Sequence, residues 1–191
     1  MHVTVVLLAA GASSRFGGPK LLADVGGEPL VGRTARVLLE GGADSLVAVL
    51  GARANEVGAA LSGLTPRVVV NGRWEEGMFG SVLVGLAAAE PEAMRIAVTP
   101  ADLPALEPRD VRRVLDAARS AGPRTLVVAA HEGRRGHPLA LSRLAAERVL
   151  RWPRGRRLSE IFSEPDLSVA LVACGAGVVR DADVPADLVA R

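Results

Sequence analysis

Val3-Thr4-Val5-Val6-Leu7-Leu8-Ala9-Ala10-Gly11-Ala12-Ser13-Ser14-Arg15-Phe16-Gly17-Gly18-Pro19-Lys20-Leu21-Leu22 is the stretch on which the rest of the chain depends. Val3 to Ala9 is a near-continuous apolar run, the pattern of a strand covered on both faces. From Ala10 to Gly18 the residues turn small, and small residues and glycines let backbone N–H groups bend toward an anion. Arg15 and Lys20 add two cations, one a planar fork and one a point charge, both suited to phosphate. A loop of this kind at the carboxyl end of a first strand is where open α/β sheets bind nucleotides. Two common phosphate loops do not fit. Walker A needs Ser or Thr after its lysine, and Leu21 follows Lys20; the dinucleotide fingerprint starting at Gly11 needs glycine at position 13, which is Ser13.

Outward from this stretch, short apolar runs alternate with helical patterns. Strands are expected at Ser45–Leu50, Arg67–Val70, Arg95–Thr99, Leu126–Ala130, Pro138–Leu141 (short) and Val169–Cys174. Helices are expected at Leu30–Glu40, with Pro29 in its first turn and Gly41-Gly42 ending it, and at Ala54–Leu61, Ser81–Ala89 and Pro108–Arg119. Ser142 suits the cap of a further helix running to Leu150, Ser159–Phe162 suits one helical turn, and Val184–Ala190 suits a closing helix. This order predicts an α/β fold of three layers, α/β/α, around a mostly parallel, Rossmann-like sheet. The loops after the first, third and fourth strands carry the unusual residues, and in such a sheet they share one edge.

The 191 residues suit one domain spanning 1–191, with no linker or internal repeat. Nearly half are apolar, which argues against disorder. A net charge of +2 gives no basis for nucleic-acid binding. The single cysteine, Cys174, lies in an apolar run, so no disulfide framework exists and a reducing, cytoplasmic setting is expected. No apolar run approaches the roughly 20 residues of a membrane span. Oligomeric state is not legible.

Four further segments carry chemistry. Asn71-Gly72-Arg73-Trp74-Glu75-Glu76-Gly77-Met78-Phe79-Gly80-Ser81 follows the third strand. Asn71 offers a donor and an acceptor suited to a base edge, and an Asn-Gly turn explains it as well; Gly77 to Ser81 opens a helix whose free N–H groups favour anions. Thr99-Pro100-Ala101-Asp102-Leu103-Pro104 places a carboxylate between prolines, where Asp102 can hold Mg²⁺ or cap a turn. Arg134-Arg135-Gly136-His137-Pro138 reads as a turn after the fifth strand. Arg154-Gly155-Arg156-Arg157 is a tight basic group that can meet a phosphorylated partner, and Asp183 near the end is either a second metal ligand or an N-cap.

The pattern L-A-A-G-x-S-x-R-x-G-x-x-K-x-L over Leu8–Leu22 resembles the signature loop of the MobA-like nucleotidyltransferases, which include molybdenum cofactor cytidylyltransferases and guanylyltransferases. Phe16 stands where that family often has Met, and Ala10 is similar to the cytidylyltransferase version, where guanylyltransferases usually have Gly. Asn71, Trp74, Gly77, Met78 and Ser81 resemble the family's N-x-x-W-x-x-G-M-x-x-S segment, Asp102 its P-x-D-x-P metal loop, Gly136-His137-Pro138 its R-G-H-P turn, and Asp181–Leu188 its closing D-I-D-T-P-E-D-L. The G-D-x-G-A-R segment of the cofactor cytidylyltransferases is only partly kept: Gly155 and Arg157 agree, but Pro153 replaces the Asp and Arg156 the Ala. The resemblance implies a glycosyltransferase-A-type nucleotidyltransferase with Mg²⁺, moving CMP from CTP to a phosphorylated small-molecule acceptor, molybdopterin-like by family default. It implies a catalytic set of Arg15, Lys20 and Asp102. Leu8, Ala9, Ala10, Gly11, Lys20, Asn71 and Asp102 would contact the nucleotide, Ser81, His137 and Arg157 the acceptor, and Asp102 and Asp183 the metal. The rivals are a guanylyltransferase using GTP, a non-catalytic nucleotide-binding module, and a glycosyltransferase on the same fold.

Overall fold

The computed structural model describes residues 1–13 and 16–188. Seven strands form one sheet: β1 (Val3–Ala9), β2 (Ser45–Leu50), β3 (Arg67–Val70), β4 (Arg95–Pro100), β5 (Thr125–His131), β6 (Arg134–Ser142) and β7 (Ser168–Ala173). Their spatial order is β3-β2-β1-β4-β6-β5-β7, and β6 alone runs against its neighbours. The helices are α1 (Leu30–Glu40), α2 (Ala54–Ala59), α3 (Met78–Ala88), α4 (Pro108–Ser120) and α5 (Arg143–Leu150).

The alternation of side chains along the strands builds the three layers. Val3, Val5, Leu7 and Ala9 of β1 face one core, shared with Val31, Ala35 and Leu38 of α1, Val57 of α2 and Val111, Val114 and Leu115 of α4. Val6 faces the other, shared with Val47, Val49, Ile96 and Val98 of the sheet, Phe79, Val82 and Leu86 of α3 and Ala145 and Val149 of α5. The expected α/β/α sandwich with a mostly parallel sheet is therefore what forms. Ser142 caps α5 as expected, its Oγ accepting from Ala145 N at 3.1 Å.

Two expectations are corrected. Arg134–Pro138 is not a turn but the first half of β6, which runs nine residues rather than four. The turn is made one step earlier by Glu132 and Gly133, at φ 48° and 78°; two successive positive φ values are what a two-residue hairpin with the twist of its strands requires. Gly133 adopts this freely, while a glutamate before it is a weak turn signal in sequence. The closing helix is a single 3₁₀ turn, Pro185–Leu188, in which Asp187 accepts from the N–H groups of Asp183 and Val184 at 2.9 Å and so turns the chain back on itself; Val189 and Ala190 lie outside the described residues. Among the described residues, no helix is long and apolar enough to cross a membrane.

Candidate active site

β1 lies between β2 and β4, and the connections leave its two sides in opposite directions, so a crevice opens at the carboxyl ends of these strands. Backbone hydrogen bonds fix its floor. Ala52 N donates to Ala10 O at 3.0 Å, Asn71 N to Leu50 O at 2.8 Å, and Ala101 N to Leu8 O at 3.0 Å, tying the tips of β1 to β4 in one rim. Thr34 of α1 donates to Ala101 O at 3.0 Å, and Arg33 donates through Nε to Pro104 O at 2.9 Å, so the loop after β4 is held from below.

The crevice holds a cleft of about 390 Å³ lined by Leu8, Ala10, Gly11, Lys20, Ser81, Asp102 and Asp183 among others. Lys20 and Asp102, 82 positions apart, meet in it: Nζ lies 2.6 Å from Oδ2, and Nζ also donates to Ala182 O at 2.7 Å. Ala182 N in turn donates to Asp102 O at 2.9 Å, which brings the closing segment and its Asp183 to the cleft. The second oxygen of Asp102, Oδ1, is buried and has no hydrogen-bond partner among the described residues. A buried carboxylate oxygen without a donor is costly unless something else satisfies it.

This donor set fits a hard divalent cation. Magnesium needs one or two protein carboxylates and takes its remaining ligands from water and substrate phosphates. Asp102, through its free oxygen, and Asp183 supply that number, and among the described residues no group of three or more ligating side chains converges anywhere.

A second pocket of about 680 Å³ adjoins the first, and the two share Leu8, Gly77 and Met78. Its floor is apolar, with Phe79, Val82, Val98, Leu139 and Phe162, and its rim carries Arg135, Arg154, Arg156 and Arg157. The guanidinium of Arg135 sits 4.1 Å over the Phe162 ring and that of Arg156 sits 3.8 Å over the Trp152 ring. Arg156 is thus stacked on an aromatic face and paired with Glu160 at 2.8 Å. His137 lines the same pocket; burial pushes its pKa below the usual histidine value, against a hydrogen bond with the Val98 backbone and the pull of Asp102 and Asp181, and its Nδ1 is buried without a partner among the described residues.

The site residues expected from sequence divide as follows. Leu8, Ala10, Gly11, Lys20, Ser81, Asp102 and Asp183 share the first cleft, and His137 and Arg157 share the second pocket. Ser81 lies in the cleft of Lys20 and Asp102 rather than with the other two expected acceptor residues. Ala9 is 1% exposed and its side chain packs in the core. Asn71 is buried behind the cleft wall, its amide bonded to Ser81 Oγ and Arg73 N, each at 3.0 Å. Arg15 lies outside the described residues. Sequence reasoning missed Arg135 and Phe162; had residues 134–138 been read as a strand, the period of two would have placed Arg135 on the face of His137.

Comparison with known proteins gives this geometry its relatives. The chain is 42% identical over 148 residues, 73% of its length and 70% of the relative's, to the nicotine blue oxidoreductase of Paenarthrobacter nicotinovorans. It is 34% identical over 119 residues, 61% of its length and 57% of the relative's, to a probable molybdenum cofactor guanylyltransferase of Natronomonas pharaonis. Among solved structures, Rv0371c of Mycobacterium tuberculosis H37Rv superimposes with a TM-score of 0.85 at 29% identity, covering 98% of this chain and 96% of that one. The same protein in complex with manganese superimposes at 0.81 and 27%, covering the same 98% and 96%. The model of the MobA-like NTP transferase domain matches residues 5–169. That match spans most of the sheet and, Asp183 apart, the lining of both pockets, and the chain belongs to the MobA-like NTP transferase family.

Proposed function

We propose that residues 1–191 form one nucleotidyltransferase domain that moves CMP from CTP to a phosphorylated small-molecule acceptor and releases pyrophosphate. The observation that carries this is the meeting of Lys20 with Asp102 beside an unsatisfied carboxylate oxygen, at the sheet's switch point. An oxygen of the acceptor's phosphate attacks the α-phosphorus, the bond to the β-phosphate's bridging oxygen breaks, and pyrophosphate carries the electron pair away. A phosphate is already deprotonated near neutral pH, so the protein supplies alignment and charge rather than a general base. Lys20 steadies the phosphates, with Arg15 from the signature loop. Mg²⁺ at Asp102 and Asp183 would neutralise charge on the triphosphate; a manganese complex of a 27%-identical structure supports a divalent cation here. The acceptor belongs in the second pocket, which joins the first at Leu8, Gly77 and Met78, with His137 and Arg157 beside it.

CTP is preferred on Ala10, the residue in which the cytidylyltransferase loops differ; the guanylyltransferase named among the relatives keeps GTP as the rival. The relative of 42% identity is named as an oxidoreductase, and it favours a second reading in which the apolar pocket holds a ring that is oxidised or reduced. One experiment separates them. The protein is incubated with Mg²⁺, each NTP in turn and a panel of phosphorylated acceptors, and in parallel with a reduced nicotinamide dinucleotide and a reducible aromatic ring compound; products are read by mass spectrometry alongside pyrophosphate release and dinucleotide absorbance. A CMP adduct is expected. A GMP adduct transfers the assignment to GTP. No adduct with any NTP, together with consumption of a nicotinamide dinucleotide, overturns group transfer in favour of redox chemistry.

A further inference from the structure

Asn71 sits behind the cleft, and its hydrogen bonds determine a direction. Its Oδ1 accepts from the backbone N–H of Arg73 at 3.0 Å. A backbone N–H only donates, so the amide orientation is fixed and its NH₂ faces Ser81, with Nδ2 3.0 Å from Oγ. An amide NH₂ also only donates. The Ser81 hydroxyl is therefore the acceptor in that bond and keeps its own proton for another partner, which no described residue provides. Ser81 is 3% exposed and lies at the amino end of α3, and the open space beside it is the cleft of Lys20 and Asp102. We propose that Asn71 is a positioning residue that holds the Ser81 hydroxyl as a donor to an oxygen of the bound nucleotide. This deepens the assignment of the cleft to the nucleotide and rests on it. Asn71 then serves the nucleotide through a second side chain rather than by touching it.

The isosteric change Asn71→Asp tests the direction. Its carboxylate still accepts from Arg73 N, but the oxygen facing Ser81 can only accept, so the hydroxyl turns its proton away from the cleft. Asn71→Ala leaves the hydroxyl free to rotate toward the nucleotide. Affinity for CTP with Mg²⁺, measured by calorimetry, is expected to fall about tenfold in Asn71→Asp and in Ser81→Ala, the size of one lost hydrogen bond. Asn71→Ala is expected to bind more tightly than Asn71→Asp, and the double variant N71D/S81A no more weakly than Ser81→Ala. An effect of the new negative charge alone would instead add to that of Ser81→Ala. Thermal unfolding of each variant without nucleotide separates binding from folding, and Ser81→Ala remains decisive should Asn71→Asp not fold. Wild-type affinity in Ser81→Ala, or Asn71→Ala binding as weakly as Asn71→Asp, overturns the proposal while leaving the cleft assignment standing. A wild-type protein that binds neither CTP nor GTP overturns both.

Discussion

Lys20 serves two acceptors, and each belongs to a different part of the chain. One is Asp102 at the tip of β4 and the other is the carbonyl of Ala182 in the closing segment. A divalent cation that seeks Asp102 competes with the ammonium for the same carboxylate. A triphosphate competes with Asp102 for the same ammonium. Each ligand therefore loosens the pair in favour of the other, and linkage requires that their affinities rise together. Lys20→Met is expected to reduce turnover by about 10²–10³, as the loss of one charge-stabilising donor does. The same change should tighten Mn²⁺ binding to the nucleotide-free protein, since the carboxylate no longer has an internal partner. Titration followed by electron paramagnetic resonance measures this directly; unchanged or weaker Mn²⁺ binding would show that the ammonium and the metal do not compete. Asp102→Asn, by contrast, should lose both turnover and metal.

At the scale of elements, the cleft depends on how closely the loops after β1, β2 and β3 approach. Gly51, just past β2, is where they meet: a Cβ there would lie 2.6 Å from Ala10 O and 2.7 Å from Trp74 Cβ. Gly51→Ala must push the loop after β1 and the Trp74 turn apart. The expected cost is about 1–3 kcal/mol in unfolding free energy, with a larger proportional loss of nucleotide affinity, and chemical denaturation and calorimetry measure the two. This crowding could not be seen in the sequence, which shows only a glycine after an apolar run. What the sequence did reveal follows from local rules. The apolar period and caps located β1, α1, β2, β3 and α5 within a residue or two, because burial and end-capping act within one element. Residues 134–137 were misread because their fate depends on pairing: a Gly closely followed by Pro looks like a turn until pairing of Arg134 and Arg135 with β5 extends the strand. α3 starts three residues before the expected Ser81, at Met78, for a related reason, since Gly77 at φ 109° and not a side-chain cap sets its start. The candidate site was legible where a signature loop marks it, at Lys20 and Asp102. Asn71 and Ser81 were singled out as well, but the hydrogen bond that joins their side chains, and its direction, were not legible.

For the whole molecule, the two edges of the sheet are satisfied very differently. At the edge opposite the cleft, the starts of the strands are stapled by complete pairs. Asp44 accepts from Val3 N at 2.8 Å and from Arg119 at 2.9 Å; Glu90 accepts from Thr4 and Ser45, each at 2.7 Å; and the buried guanidinium of Arg95 donates to the carbonyls of Ala121, Gly122 and Thr125. Asp166, just before β7, is gripped by Arg148 of α5 at 2.5 and 2.8 Å and by Arg124 at 2.9 Å. The hydrogen bonds from Arg148 hold the carboxyl of Asp166 down to about 2. Asp44 and Glu90 also fall below the usual carboxylate range, their hydrogen bonds outweighing a burial that pushes the other way. A carboxyl with a folded pKa below its unfolded value binds its proton less readily in the folded state. Its contribution to stability is complete above about pH 4, the unfolded range of Asp and Glu, and is lost as pH falls toward the folded value. Acid should therefore loosen these staples in a window descending from about pH 4 toward the Asp166 value of about 2. Arg148→Met returns Asp166 toward its ordinary pKa, so the stability held by that pair is absent at neutral pH and the slope of melting temperature against pH flattens below pH 4. Melting temperatures of the two proteins between about pH 2.5 and 7 measure this, and an acid slope in Arg148→Met as steep as in the wild type would contradict the role given to the Arg148–Asp166 pair.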